Sequence, residues 1–211
     1  MRQRAKPWAD KEFAENPLFV PNPIIHAGSW QANFANRNPI HLEIGCGKGR
    51  FITQSALANP HINFLAMEKQ EQVLCIALRL ARDLDLPPNL RFICEDAADL
   101  SDFFAKEELA RIYINFCDPW RARGKWRKRR LTHRNFLAIY GTLMQKPQVY
   151  FKTDDRGLFQ FSLAEFEENG WCLENVTFDL HNSSFFENIM TEYEERFAAT
   201  GTPICRLEAY K

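Results

Sequence analysis

The chain has 211 residues, enough for one domain with a full core and short for two. Its 45% hydrophobic and 26% charged residues exclude a disordered or fibrous chain. The net charge is zero, yet the ten Lys and Arg residues from Pro119 to Thr153 meet no acid, while Asp154 to Lys211 holds twelve acids and four bases. A basic stripe of that kind presents a local field of several kT to a phosphate backbone, so zero net charge does not exclude a nucleic-acid partner.

Residues 1–38 carry Pro7, Pro17, Pro21 and Pro23, the bases Arg2, Arg4, Lys6 and Lys11, and the aromatics Trp8, Phe13 and Phe19. They read as a basic arm that packs through its aromatics, with at most one short helix, ahead of a single domain over 39–211. No basic start joins an apolar h-region, so no secretory signal is expected. The longest uncharged stretch, Asn16 to Asn36, is broken by three prolines and does not suit a membrane helix. The six cysteines lie far apart with no CxxC pair, which argues against zinc or any metal and for a reducing, cytoplasmic setting.

From residue 39 the pattern alternates. Ile40–Ile44 predicts a strand ending in a glycine-rich turn, with a helix over Arg50–Leu57. Ile62–Met67 predicts a second strand, followed by a helix carrying Val73, Leu74, Ala77, Leu78 and Ala81. Leu90–Cys94 and Arg111–Phe116 are the third and fourth strands. A helix through Phe136–Leu143, a strand at Val149–Lys152 and a helix around Leu158–Asn169 follow. A strand within Trp171–Asp179, a short helix around Thr191–Ala199 and a last strand near Ile204–Ala209 complete the chain. Continuous apolar strands between helices imply an α/β, Rossmann-like fold: a seven-stranded, mostly parallel sheet with helices on both faces and an antiparallel edge strand.

Ligands in such folds sit at the carboxyl ends of the strands. There the turn Glu43-Ile44-Gly45-Cys46-Gly47-Lys48-Gly49 lets a ligand approach the backbone closely at Gly45 and Gly47. GxGxG is a weak signal by itself, but its neighbours sharpen it. Glu68 ends the second strand, placed to accept both hydroxyls of a ribose, and Asp96 follows the third, placed for an adenine amino group, with Glu95 as the alternative. Carboxylates at three successive strand ends would repel a pyrophosphate and suit a nucleoside with a cationic tail. That favours S-adenosylmethionine over NAD. After the fourth strand, Asn115-Phe116-Cys117-Asp118-Pro119-Trp120 puts a carboxylate on a stiff turn, and Arg121 to Arg130 then supplies seven bases for phosphates.

These residues resemble the bacterial tRNA (guanine-N7-)-methyltransferases, of the class I S-adenosylmethionine-dependent fold. The resemblance runs through Lys6-Pro7-Trp8, Glu43 to Gly49, Asn115 to Trp120, Lys128 to Thr132, and Phe151-Lys152-Thr153-Asp154. It continues through Asp179 to Ser183 and Met190-Thr191-Glu192-Tyr193-Glu194. It implies that Glu43, Glu68, Asp96 and Asp118 line the cofactor site, with Asp118 catalytic. It also implies that Asp154, Thr191, Glu192, Tyr193 and Glu194 face the substrate, a guanine in the tRNA variable loop. The chain departs from the family after Asp-Pro-Trp: Arg121-Ala122-Arg123-Gly124-Lys125-Trp126 replaces Pro-Lys-Lys-Arg-His and is one residue longer. Arg123, then Lys125, is the expected counterpart of the family's substrate-contacting lysine. His181 is expected to be structural. Three rival readings are a methyltransferase for a small molecule or protein, a nicotinamide oxidoreductase, and a non-catalytic RNA-binding module. The sequence does not reveal the oligomeric state, and a homodimer is one option.

Overall fold

The structure, a computed structural model, describes residues 6–121, 124–185 and 187–211. Seven strands, β1 (Ile40–Ile44), β2 (Asn63–Met67), β3 (Leu90–Ile93), β4 (Arg111–Asn115), β5 (Gln148–Thr153), β6 (Cys172–Thr177) and β7 (Cys205–Tyr210), form one sheet. Their order is β3-β2-β1-β4-β5-β7-β6. Strands β3 through β5 pair in parallel, and β7 runs antiparallel between β5 and β6. The β7–β6 end of the sheet is therefore an antiparallel pair.

β1 and β2 are buried along their whole length, because helices cover both faces. One face packs on α4 (Leu100–Phe103), α5 (Arg134–Leu143) and α6 (Arg156–Glu168), through Leu42, Ile112, Ile114, Phe151, Tyr140 and Phe159. The other packs on α2 (Arg50–Ala58) and α3 (Glu71–Asp83), through Phe64, Phe92, Ile52, Leu74 and Leu78. Gly49 makes this second face possible. A Cβ there would stand 2.6 Å from the Ala77 Cβ, and its φ is +81°. The third glycine of the turn thus serves helix packing.

The arm holds more local structure than its prolines suggest: α1 (Ala9–Glu15) and two 3-10 turns, Pro23–His26 and Trp30–Asn33. Three- and four-residue turns are too short to leave a periodic signal, and the helical segment Ala97–Phe103 is invisible in the sequence for the same reason. Glu12 of α1 is buried and bridges Arg79 and Arg82 of α3 at 3.4 and 2.8 Å, and Arg79 lies over the Trp8 ring. The arm also extends the edge of the sheet, where Leu18 and Val20 exchange backbone hydrogen bonds with Phe92. Trp30 is fully buried, its indole donating to the Phe103 carbonyl at 2.7 Å. Among the described residues no helix is long and apolar enough to cross a membrane.

Candidate active site

The strand order turns back at β1, with β2 on one side and β4 on the other, so their carboxyl ends open a crevice at the switch point. Gly45, Gly47 and Gly49 all have positive φ, and a Cβ at Gly45 or Gly47 would meet nothing within 4 Å. That leaves open space beside bare backbone. The Glu68 carboxylate accepts the Gly47 N–H at 3.2 Å and the Gln70 N–H at 3.0 Å. A carboxylate has about four lone-pair sites, so acceptor capacity remains for a ribose. Burial pushes the Glu68 carboxyl above its usual range, against those two backbone hydrogen bonds. Asp96 is exposed, caps the turn that follows through the Ala98 N–H at 3.0 Å, and lies 4.0 Å from Lys69.

Glu43 is 1% exposed at the floor of the crevice. Asn115, from the end of β4, donates to its Oε1 at 2.8 Å, while its Oε2 is buried without a partner. Burial pushes its pKa up to about 7, opposed by the Asn115 hydrogen bond and the Lys152 charge. A buried carboxylate with a bare oxygen is costly unless a donor meets it. Together with the open glycine cradle, it fits a ligand bringing a cationic or N–H group.

Asp118 is exposed on the segment after β4. That segment is strained: Phe116 and Trp120 have φ of +53° and +44°, at a cost of about 1–2 kcal/mol each. Three things hold it. Phe116 donates its N–H to the Lys152 carbonyl at 2.9 Å, its ring stacks on Phe197 at 6.1 Å, and Arg130 donates to the Pro119 carbonyl at 2.9 Å. Beyond it an open cleft of about 710 Å³ is lined by Arg121, Arg127, Arg130, Asp154 and Arg156 among others. Asp154 thus lines the same cleft as residues of the basic run.

The substrate-side motif is α7 (Glu192–Ala199), opened by a capping box in which the Glu194 N–H donates to Thr191 at 2.9 Å. Glu192 pairs with Lys48 of the glycine turn at 2.7 Å, and Arg50 pairs with Glu195. Tyr193 is 58% exposed. Glu194 differs from the expectation that it faces substrate. It is 0% exposed, and its carboxylate takes the Lys152 ammonium at 2.7 Å, the Asn188 amide and His181 at 3.5 Å. These partners engage both carboxylate oxygens, so Glu194 holds α7 in place. His181 is likewise engaged in structure. Arg123 lies outside the described residues.

Lys152 is the residue that sequence reasoning passed over. It is 5% exposed on β5 and also donates to the Asn188 side chain at 3.1 Å and the Ile189 carbonyl at 3.0 Å. Burial pulls its pKa down, against the Glu194 charge. The available signal was a lysine directly after the apolar run Val149–Phe151, still within a central strand.

A family profile described as "Putative methyltransferase" matches residues 37–207. A tRNA (guanine-N(7)-)-methyltransferase of Lysinibacillus sphaericus is 46% identical over 211 residues, covering 99% of this chain and 97% of its own. One of Listeria welshimeri is 49% identical, covering 99% and 98%. The chain belongs to the tRNA (guanine-N(7)-)-methyltransferase family. A solved antibiotic-related methyltransferase superposes with a TM-score of 0.62 over 87% of this chain and 92% of its own, at 17% identity, a likeness of fold. Methyl-donor chemistry is thereby the setting in which the acid-lined glycine crevice is understood.

Proposed function

We propose that the protein transfers the methyl group of S-adenosylmethionine to N7 of a guanine in the variable loop of tRNA. The observation that carries this reading is the joining of two sites. Glu192 of α7 grips Lys48 of the glycine turn, and the Asp118 segment leads from the crevice into the arginine-lined cleft. The curated relatives named tRNA (guanine-N(7)-)-methyltransferase support it.

Bound in the crevice, the donor supplies an electrophilic sulfonium methyl. Glu68 would take the ribose hydroxyls, Asp96 or its neighbour Glu95 the adenine amino group, and Glu43 the cationic tail. Guanine N7 carries an in-plane lone pair, so it needs no general base. The protein's work is placement, which contributes up to about 7–11 kcal/mol when a reacting pair is held in line. The Asp118 carboxylate faces the charge that moves onto the purine and stabilises it.

Recognition must leave N7 free, so the usual arginine fork to O6 and N7 would block the reaction. Acceptors for the N1–H and N2–H₂ edge are required instead. Asp154 lines the cleft and Glu192 pairs with Lys48 of the glycine turn, with Thr191 and Tyr193 on either side of Glu192 at the start of α7. Glu194 acts one step back, through the position of α7.

The test uses labelled S-adenosylmethionine with unmodified tRNA, and with a tRNA whose variable-loop guanine is replaced. Label in the first alone supports the reading. Equal label in both, or in neither, overturns it.

A further inference from the structure

Two tryptophans stand beside the transfer site, and the chemistry above uses neither. The Trp120 and Trp126 rings stack with centroids 5.6 Å apart and planes 9° from parallel. The Arg129 guanidinium lies 4.8 Å from both centroids. Two other tryptophans, Trp30 and Trp171, are core residues at 0% and 4% exposure, whereas Trp120 and Trp126 are only partly buried. Trp120 is kept at the lip by left-handed backbone, two residues after Asp118. Trp126 belongs to the stretch in which this chain departs from the Pro-Lys-Lys-Arg-His pattern.

An enzyme that must reach an atom of a stacked base draws that base out of its stack. The neighbouring base then has one bare face. Paired indoles rimmed by a guanidinium are suited to receive it, because every base offers a π-face and the cation adds attraction. Arg127 and Lys128 are exposed on the same turn, within reach of the attached phosphate's charge.

We propose that Trp120, Trp126 and Arg129 form a stacking platform for a nucleobase adjacent to the methylated guanine. The proposal rests on the tRNA reading above. It assigns to the departing loop a contact that is indifferent to base identity, and it makes Trp126 a binding residue peculiar to this form of the loop.

The experiment measures affinity and KM for unmodified tRNA in wild type, Trp126→Ala and Trp126→Phe, across a series of salt concentrations, with S-adenosylmethionine affinity as the control. Trp126→Ala should weaken tRNA binding by roughly tenfold or more, and Trp126→Phe should recover most of it. S-adenosylmethionine affinity should stay within about twofold, and the slope of log K against log salt should not change, since stacking releases no counterions. Wild-type tRNA affinity in Trp126→Ala overturns the platform. So does an equal loss for tRNA and S-adenosylmethionine, which would make Trp126 a prop for the Asp118 segment, or a fall in the salt slope. Failure of the wild type itself to label tRNA sinks the functional reading instead, so the two failures are distinct.

Discussion

Replacing Lys152 by Met tests the link between the sheet and α7. The methionine fills much the same volume, so the change is chiefly the loss of one charge. Glu194, at 0% exposure, would keep only the Asn188 amide, the Thr191 N–H at 3.4 Å and His181. Breaking a buried pair by removing one partner costs about 3–5 kcal/mol, most of it the charge left behind. For a chain of this size each kcal/mol moves Tm by roughly 2–4 °C, so Lys152→Met should melt on the order of 10 °C below wild type. The double variant Lys152→Met/Glu194→Gln removes the stranded charge and should regain about half of that loss or more. Below the melt, a loosened α7 also loosens the Glu192–Lys48 pair, so KM for S-adenosylmethionine should rise in the single variant. Thermal melts with calorimetry and a cofactor titration measure both effects. A single variant melting within about 2 °C of wild type, or a double variant less stable than the single, would refute the argument.

Asp118→Ala should lower the methylation rate by about a hundred- to a thousandfold while the melt stays unchanged, and near-normal turnover would remove Asp118 from the reaction. Gly49→Ala forces a Cβ to within 2.6 Å of Ala77 at a φ of +81°; overpacking and strain together should cost about 2–4 kcal/mol, read by urea unfolding. The pH dependence of stability offers a paired test on β1. Burial raises Glu43 to about 7, so its folded form holds a proton the unfolded chain has lost, and stability falls as pH rises from about 4.5 to about 7. Burial lowers His41 to about 3, so between about 3 and 6.5 the unfolded chain binds the extra proton, and stability rises with pH. The two slopes oppose each other across their shared range. His41→Gln should therefore uncover a stability that falls from pH 5 toward pH 7, and Glu43→Gln one that rises over pH 4 to 6. A pH series of urea melts decides it, with unchanged profiles in both variants as the contrary result.

The parallel core was legible because β1 to β5 are runs of apolar residues between helices of clear period, and a buried strand has little freedom to look otherwise. Strand ends differed from the structure by a residue or two, since pairing decides them: Phe116 is outside β4 yet still donates to Lys152. The acids of the crevice were visible because they fall at strand ends, a position that topology makes meaningful. Glu194 was not legible in the same way. Its neighbours Tyr193 and Glu195 are exposed, and the charge that meets it in the interior comes from a lysine on β5, 42 residues earlier. Long-range pairing of that kind leaves no mark in the local pattern of α7, and on β5 only the lysine that follows an apolar run.

The same pairing resolves an apparent conflict in the charge distribution. An acid-rich final segment, Asp154 to Lys211, should repel a polyanion drawn by the basic run before it. In the fold those acids are largely committed to named cations: Asp155 to Arg121 at 2.7 Å, Glu165 and Glu168 to Arg134 at 2.9 and 2.8 Å, Glu192 to Lys48, Glu194 to Lys152, Glu195 to Arg50 and Glu208 to Arg206. Two of these, at Asp155 and Glu165, hold the two ends of the basic run against α6. Among the described residues, Arg127, Lys128, Arg129 and Arg130 between those ends have no carboxylate within 4.0 Å. The acids therefore anchor the basic loop at its margins and leave its middle charged. A variant that breaks an anchor, such as Asp155→Asn, should weaken tRNA binding even though it removes a negative charge. Tighter binding in that variant would show that Asp155 acts by simple repulsion and that the anchoring argument fails.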